Sequence, residues 1–327
     1  MREAIAKMEN KLYNLDSIPD DIRIWNGVSG CLDALFFAMI DPKRKRKYIM
    51  VPKPGYFLYY SLIKAFGGGV IPFNNVEEDK WYPDVDDFRK KIKDDRVGYA
   101  ILNYPNNPTG SVTPRSIMTE LVDIVGEYGK VIISDEIYRN IKWVRNGYDS
   151  VSELGRGISK VILGGLAKED CGPGLKLGWM IKIDSNNELT EVWEGCDNWL
   201  RAHLGANTLV QKAYAAVLQD PQCIKDHVEK MNRELEPRAK LVYELGNEIG
   251  LSLNMPEGAF YWFPRYNLKK KVPPEQFCRK LLYKEHICVA PGEKFGGESN
   301  FRVTLLRPKD ILKKDLLKIG NFISEYN

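Results

Sequence analysis

Histidine and paired cysteine are what this chain has least of. Three histidines, His203, His227 and His286, stand among 327 residues, each isolated from the others in sequence. The six cysteines (Cys31, Cys171, Cys196, Cys223, Cys278 and Cys288) are scattered, with no two of them three apart. Metal sites and disulfide frameworks announce themselves by clustered or regularly spaced ligands, so neither is expected; no metal is assigned, and the thiols read as reduced in a cytosolic chain. Long apolar runs are missing too. None approaches the ~18 residues that a membrane span needs, and Met1-Arg2-Glu3-Ala4-Ile5-Ala6-Lys7 has no apolar signal core. No membrane partner and a cytoplasmic location follow as expectations. An excess of one charge is also lacking: 48 basic against 44 acidic side chains leave +4, too little for a protein organised around nucleic acid. The basic run Lys43–Lys47 reads as a solvated loop between a buried helix and the next strand.

What is present is an ordinary globular composition, 44% hydrophobic and 28% charged, in a chain long enough for about two domains. Short apolar runs rich in strand-forming residues recur at Tyr48–Val51, Val70–Phe73, Tyr99–Asn103, Val131–Ser134 and Val161–Gly164. Helical patterns at Tyr59–Ala65, Val85–Lys93 and Ser116–Tyr128 lie between several of them. That alternation predicts an α/β fold with a mostly parallel sheet wrapped by helices, and in such sheets ligands gather where strands end. After about Gln219 the texture changes to a long charged helix (Lys225–Glu248), apolar runs at Leu251–Leu253, Ala259–Pro264, Ile287–Ala290 and Asn300–Leu306, and a last helix, Lys309–Tyr326. A large domain over 1–220 and a smaller α+β domain over 221–327 are therefore predicted.

Four segments sit where strands end and loops begin. Asn103-Tyr104-Pro105-Asn106-Asn107-Pro108-Thr109-Gly110 carries turn formers that need no catalytic role. Ser134-Asp135-Glu136-Ile137-Tyr138 sends an acid off a strand, where it could equally cap a helix. Gly164-Gly165-Leu166-Ala167-Lys168 is followed by Gly172-Pro173-Gly174-Leu175-Lys176-Leu177-Gly178-Trp179, and Asn300-Phe301-Arg302-Val303-Thr304 sets an arginine among strand formers. Each is weak by itself.

Together and in this order, the four segments resemble the class I/II aminotransferases, the pyridoxal-phosphate enzymes of fold type I. The wording of Pro52–Tyr56, Glu77–Ile92, Gly164–Lys168 and Pro256–Tyr261 looks most like the alanine and tyrosine aminotransferase branch. The resemblance spans nearly the whole chain and implies pyridoxal 5'-phosphate as cofactor. It further implies that an amino group moves between an L-amino acid, alanine first and aromatic next, and 2-oxoglutarate. By the same resemblance Lys168 matches the lysine that holds the cofactor as a Schiff base and moves a proton. Asp135 matches the carboxylate on the pyridine nitrogen, Asn107 and Tyr138 the donors to the phenolic oxygen, and Tyr56 the aromatic cover of the ring. Gly27-Val28-Ser29-Gly30, just ahead of an apolar helix at Cys31–Ile40, fits a phosphate loop. Arg302 matches the grip on the substrate α-carboxylate, and Asn107 is counted with it among the substrate-binding residues. A homodimer is implied as well.

The pattern is departed from in places. Gly165 stands where the family often has a serine, and Lys176 where it normally has an arginine on the phosphate; a lysine keeps the charge but loses the planar fork. Glu169 and Asp170 bring negative charge next to Lys168. Met1–Ile24 already resembles the helix and strand that lead into the phosphate loop, so the family's earlier segment, with its substrate loop and dimer arm, has no counterpart. A catalytically impaired or non-catalytic protein of this fold, or a lyase on the same scaffold, are the alternatives that these departures keep open.

Overall fold

The computed structural model describes residues 1–41, 46–145, 147–251 and 254–326. Most of the basic run and the Ser252–Leu253 part of an expected apolar run lie outside the described residues. Helix α1 (Arg2–Tyr13) leads to strand β1 (Ile22–Trp25) and directly to α2 (Gly27–Met39). The chain then runs β2 (Tyr48–Lys53), α3 (Phe57–Ala65), β3 (Gly69–Val76), β4 (Tyr82–Pro83), α4 (Val85–Ile92), β5 (Val97–Leu102), α5 (Arg115–Glu127), β6 (Val131–Asp135), β7 (Lys160–Gly165) and β8 (Gly178–Ile183). Helices α6 (Thr190–His203), α7 (Thr208–Val217) and the long α8 (Pro221–Glu248) follow. The remainder is β9 (Tyr261–Trp262), α9 (Pro274–Glu285), β10 (Ala290–Pro291), β11 (Phe301–Thr304) and α10 (Lys309–Tyr326).

The main sheet has the order β1-β8-β7-β6-β5-β2-β3-β4. The five strands expected from the apolar runs form its parallel block, β7-β6-β5-β2-β3. Three antiparallel pairings complete it, β1 on β8, β8 on β7 and β4 on β3. The block reads as continuous apolar runs because both faces are covered. Alternate side chains feed different cores: Met50 and Ile132 pack on the face carrying Leu121 and Val125 of α5. Their neighbours Ile49, Val51 and Ile133 pack against Leu32, Leu35 and Phe36 of α2.

The C-terminal part forms a second sheet, β10-β11-β9, under α8, α9 and α10. The apolar stretch Ile287–Ala290, expected as a strand, is paired only from Ala290. Trp262, Phe277 and Phe301 centre its core, and Ile137, Tyr138 and Ile141, from the loop leaving β6, enter that same core. The seam between the two sheets therefore runs along the ends of the parallel strands. Among the described residues no helix is long and apolar enough to cross a membrane.

Candidate active site

A cleft of about 380 Å³ opens on this seam. Its floor is Asp135, the last residue of β6, buried at 3% exposure. The carboxylate accepts a 2.6 Å hydrogen bond from the Tyr59 hydroxyl and a 3.2 Å bond from the Ile137 backbone N–H. Burial pushes its pKa up, while Tyr59, the Ile137 N–H and the Lys168 ammonium pull it back down. Two donors and a cation thus offset part of the cost of burying this carboxylate.

Lys168 leaves β7 on the adjacent loop and lines the same cleft. Its Nζ stands 5.5 Å from the ring centres of both Tyr138 and Phe260, a cation held over aromatic faces. The Tyr138 hydroxyl donates to that of Tyr261 at 3.3 Å, and burial raises Tyr138 well above the usual phenol. Tyr56 stands at the start of α3, edge-on to Tyr59.

At one end of the cleft, Arg302 from β11 lies between two rings, its guanidinium carbon 4.2 Å from the Tyr261 centroid and 4.6 Å from that of Phe295. Its Nη1 donates to Asn107 Oδ1 at 2.8 Å. With Oδ1 so engaged, the Asn107 amide presents its donor, Nδ2, to other acceptors. The Asn107 backbone N–H is itself held by Asn103 Oδ1 at 3.2 Å, and Asn103 Nδ2 donates to the Asp135 carbonyl at 2.9 Å. The arginine, the amide and the acid are linked through this one chain of bonds.

The other end is the start of α2. Gly27, Val28 and Ser29 line it, but as the first turn of the helix, not as a loop ahead of it. Asn26 makes no side-chain cap hydrogen bond there, so the N–H groups of this first turn have no intrahelical acceptor and the positive helix end faces the cleft. Gly30 does not line the cleft: as the fourth helical residue its N–H belongs to the intrahelical ladder. β8 makes this end possible, because a Cβ on Gly178 would stand 2.4 Å from the Gly27 carbonyl carbon. Lys176 lines the cleft from an exposed position with φ of 50°.

Gly165, expected at the cofactor, does not line the cleft. It pairs with Gly178 across β7 and β8, and a Cβ there would meet the Leu177 carbonyl oxygen at 2.9 Å. Glu169 and Asp170 do not line it either. Glu169 accepts from the Asn140 backbone N–H at 2.6 Å and from Asn140 Nδ2 at 2.9 Å, and Asp170 accepts from the Tyr214 hydroxyl at 3.2 Å. Their charge is spent away from the phosphate end. Tyr59 and Tyr261 also line the cleft, and neither is marked as a site residue by the sequence. A tyrosine three positions after Tyr56 in an apolar helix has the pattern of a core residue, and Tyr261 was legible only as part of its motif.

The donor set suits the cofactor that the resemblance implies. An uncapped helix start matches a phosphate dianion, a buried carboxylate matches a protonated ring nitrogen, and the amide and phenol donors match a phenolate. A primary amine stands between them. Those residues would hold pyridoxal phosphate.

Comparison with known proteins agrees. The family model described as aminotransferase class I and II matches residues 1–313. The glutamate-pyruvate aminotransferase AlaA of Haemophilus influenzae is 29% identical over 330 residues, covering 99% of this chain and 80% of that protein. The solved alanine aminotransferase from Pyrococcus furiosus superimposes with a TM-score of 0.93 at 34% identity, covering 99% of this chain and 81% of that one. An aminotransferase structure from Escherichia coli gives a TM-score of 0.92 at 27% identity, with coverages of 99% and 80%.

Proposed function

Because this chain belongs to the class I and II aminotransferase family, whose members are pyridoxal-phosphate enzymes, we propose that it moves the amino group of L-alanine to 2-oxoglutarate, with Lys168 as the catalytic amine. The observation that carries this reading is the convergence on one cleft of Asp135 from the end of β6, Lys168 from the loop after β7 and Arg302 from β11. The alanine assignment draws support from the printed names of the Haemophilus influenzae and Pyrococcus furiosus relatives.

When bound, pyridoxal phosphate supplies an aldehyde that takes up the amino group and a ring that accepts the electron pair left when the α-proton departs. The rest is the work of the side chains. Arg302 binds the substrate carboxylate, its plane already set by the Tyr261 and Phe295 rings and by Asn107. Asp135, whose carboxylate accepts from Tyr59 and the Ile137 N–H, would hold a proton on the ring nitrogen. Asn107 Nδ2 would donate to the phenolic oxygen, joined by the Tyr138 hydroxyl once its proton turns from Tyr261. Lys168 Nζ would hold the cofactor until substrate arrives and, once free, would take the proton from the substrate α-carbon. Water would supply the oxygen of the departing pyruvate, and the same residues would serve 2-oxoglutarate in the reverse direction to give glutamate. The first turn of α2 with Lys176 would hold the phosphate, and Tyr56 would cover the ring. We assign the homodimer implied by the resemblance to the working enzyme.

The test is a visible absorption spectrum of the purified full chain with pyridoxal phosphate, before and after L-alanine, L-tyrosine or L-glutamate. The expected result is a band for the lysine-held cofactor that L-alanine and L-glutamate convert. Conversion by L-tyrosine in place of L-alanine moves the assignment to an aromatic substrate, and absence of a band refutes the catalytic role of Lys168. Light scattering of the loaded protein at twice the chain mass is expected for the dimer.

A further inference from the structure

Each functional side chain on the cleft floor is next in sequence to a charged residue that points the other way. Asp135 is followed by Glu136, Tyr138 by Arg139 and Lys168 by Glu169. The three charged neighbours belong to a polar cluster behind the floor. Arg139 makes a paired contact with Glu9 of α1, Nη1 to Oε2 at 3.1 Å and Nη2 to Oε1 at 2.9 Å, and lies 4.7 Å from the Tyr13 ring. Glu136 accepts from Arg139, Ser134, Ser150 and the Val151 N–H. Glu169 bonds both donors of Asn140, the next residue after Arg139, and the Asn140 carbonyl in turn accepts from Asn232 of α8 at 2.8 Å.

The contact of Glu169 with Asn140 ties, by side-chain hydrogen bonds, the loop that carries Lys168 to the loop that carries Tyr138 and leaves β6 after Asp135. We infer that Glu169 is a positioning residue: its carboxylate, fastened to Asn140, sets where the Lys168 amine stands over the cleft floor. The inference rests on the reading of Lys168 as the residue that holds the cofactor. A carboxylate suits the task because Asn140 offers two N–H donors and no acceptor on that side, and each oxygen takes one. A protonated carboxyl would put its own O–H against a donor.

The surroundings make the tie sensitive to pH. Burial, with Asp170 of the same loop, raises the Glu169 carboxyl to about 7, against the lowering pull of Arg139 and the two Asn140 donors. Tyr13 of α1 and Tyr214 of α7 also face it, and both are neutral near 7 because burial lifts them further. Below about 7 the tie therefore loosens, and above it the tie is complete.

The experiment titrates the full chain with pyridoxal phosphate by equilibrium dialysis and by its visible band, on both sides of pH 7. Glu169→Gln, Glu169→Ala and Lys168→Ala are run beside the unchanged protein, with circular dichroism as the check of fold. The unchanged protein is expected to lose cofactor affinity as pH falls through about 7. Glu169→Ala is expected to bind about tenfold more weakly above that pH, the size of a lost charge-assisted hydrogen bond, and to lose the step at pH 7. Glu169→Gln, which keeps one acceptor, is expected to lie between them, also without the step. Folded Glu169 variants with unchanged affinity, or a step that persists in both, overturn the positioning role. If Lys168→Ala retains the band, the reading of Lys168 itself fails; if it alone loses the band, only the role of Glu169 does. Should Glu169→Ala not fold, the Gln variant and the pH profile of the unchanged protein still decide.

Discussion

The two cationic ends of the cleft are built differently. Arg302 lies between two rings and is bonded to Asn107, which is tied through Asn103 to the Asp135 backbone. Lys176 is an exposed residue on a left-handed turn, next to a helix start whose donors are backbone N–H groups. At the first end the cation is pre-set by its neighbours and little freedom is lost on binding a carboxylate. At the second, the fixed donors belong to the backbone and the side chain adds a mobile charge. The lesson is that a changed residue matters in proportion to how far its surroundings hold it still: Lys for Arg at 176 is a mild change, whereas the same change at 302 would strip away stacking and fork together.

That contrast can be broken or sharpened by substitution. Lys168→Ala, between the two ends, is expected to abolish turnover and the visible band together, measured by spectrum and coupled assay. Arg302→Ala should raise KM for every amino acid by roughly ten- to a hundredfold, the range for a lost charged hydrogen bond, with cofactor still bound; loss of cofactor instead would place Arg302 at the wrong end. Tyr59→Phe removes the 2.6 Å donor from Asp135. The acid then rises further, so kcat should fall about tenfold and the acid limb of its pH profile should move to higher pH. Gly165→Ser asks whether the second end can be given the missing hydroxyl. With the Leu177 oxygen 2.9 Å from the new Cβ, thermal denaturation should register a loss of about 1–3 kcal/mol, and cofactor affinity should not improve. The smallest effect is reserved for Lys176→Arg, expected to tighten cofactor binding by at most about fivefold, the limit for an exposed ion pair.

The parallel block was legible because its signal is local. Runs such as Val131–Ser134 are apolar throughout when both faces are covered, and helices between them carry their own period. The antiparallel β8 was not legible: Gly178–Ile183 begins inside a glycine-rich stretch that reads as loop, and only pairing with β1 and β7 makes it a strand. The start of α2 was misread by four residues, since Gly27 and Gly30 are poor helix formers and the turn is held by the contact of Gly27 with Gly178. The site was legible as residue types in order. The direction in which Glu169 and Asp170 point was not, and it reverses their meaning from a charge against the phosphate to contacts behind the floor.

By itself the amino-acid sequence determined the parallel block, the family, and the residues that carry an amine, an acid and a guanidinium, because periodicity and motif spacing are properties of neighbours along the chain. Only the tertiary structure decided that Arg302 meets Asn107 across 195 positions, that Tyr59 tunes Asp135, and that Gly165 is filled by a neighbouring strand. Those contacts depend on burial and on donors brought together through space, and no local pattern encodes which side of a loop a charged side chain will take.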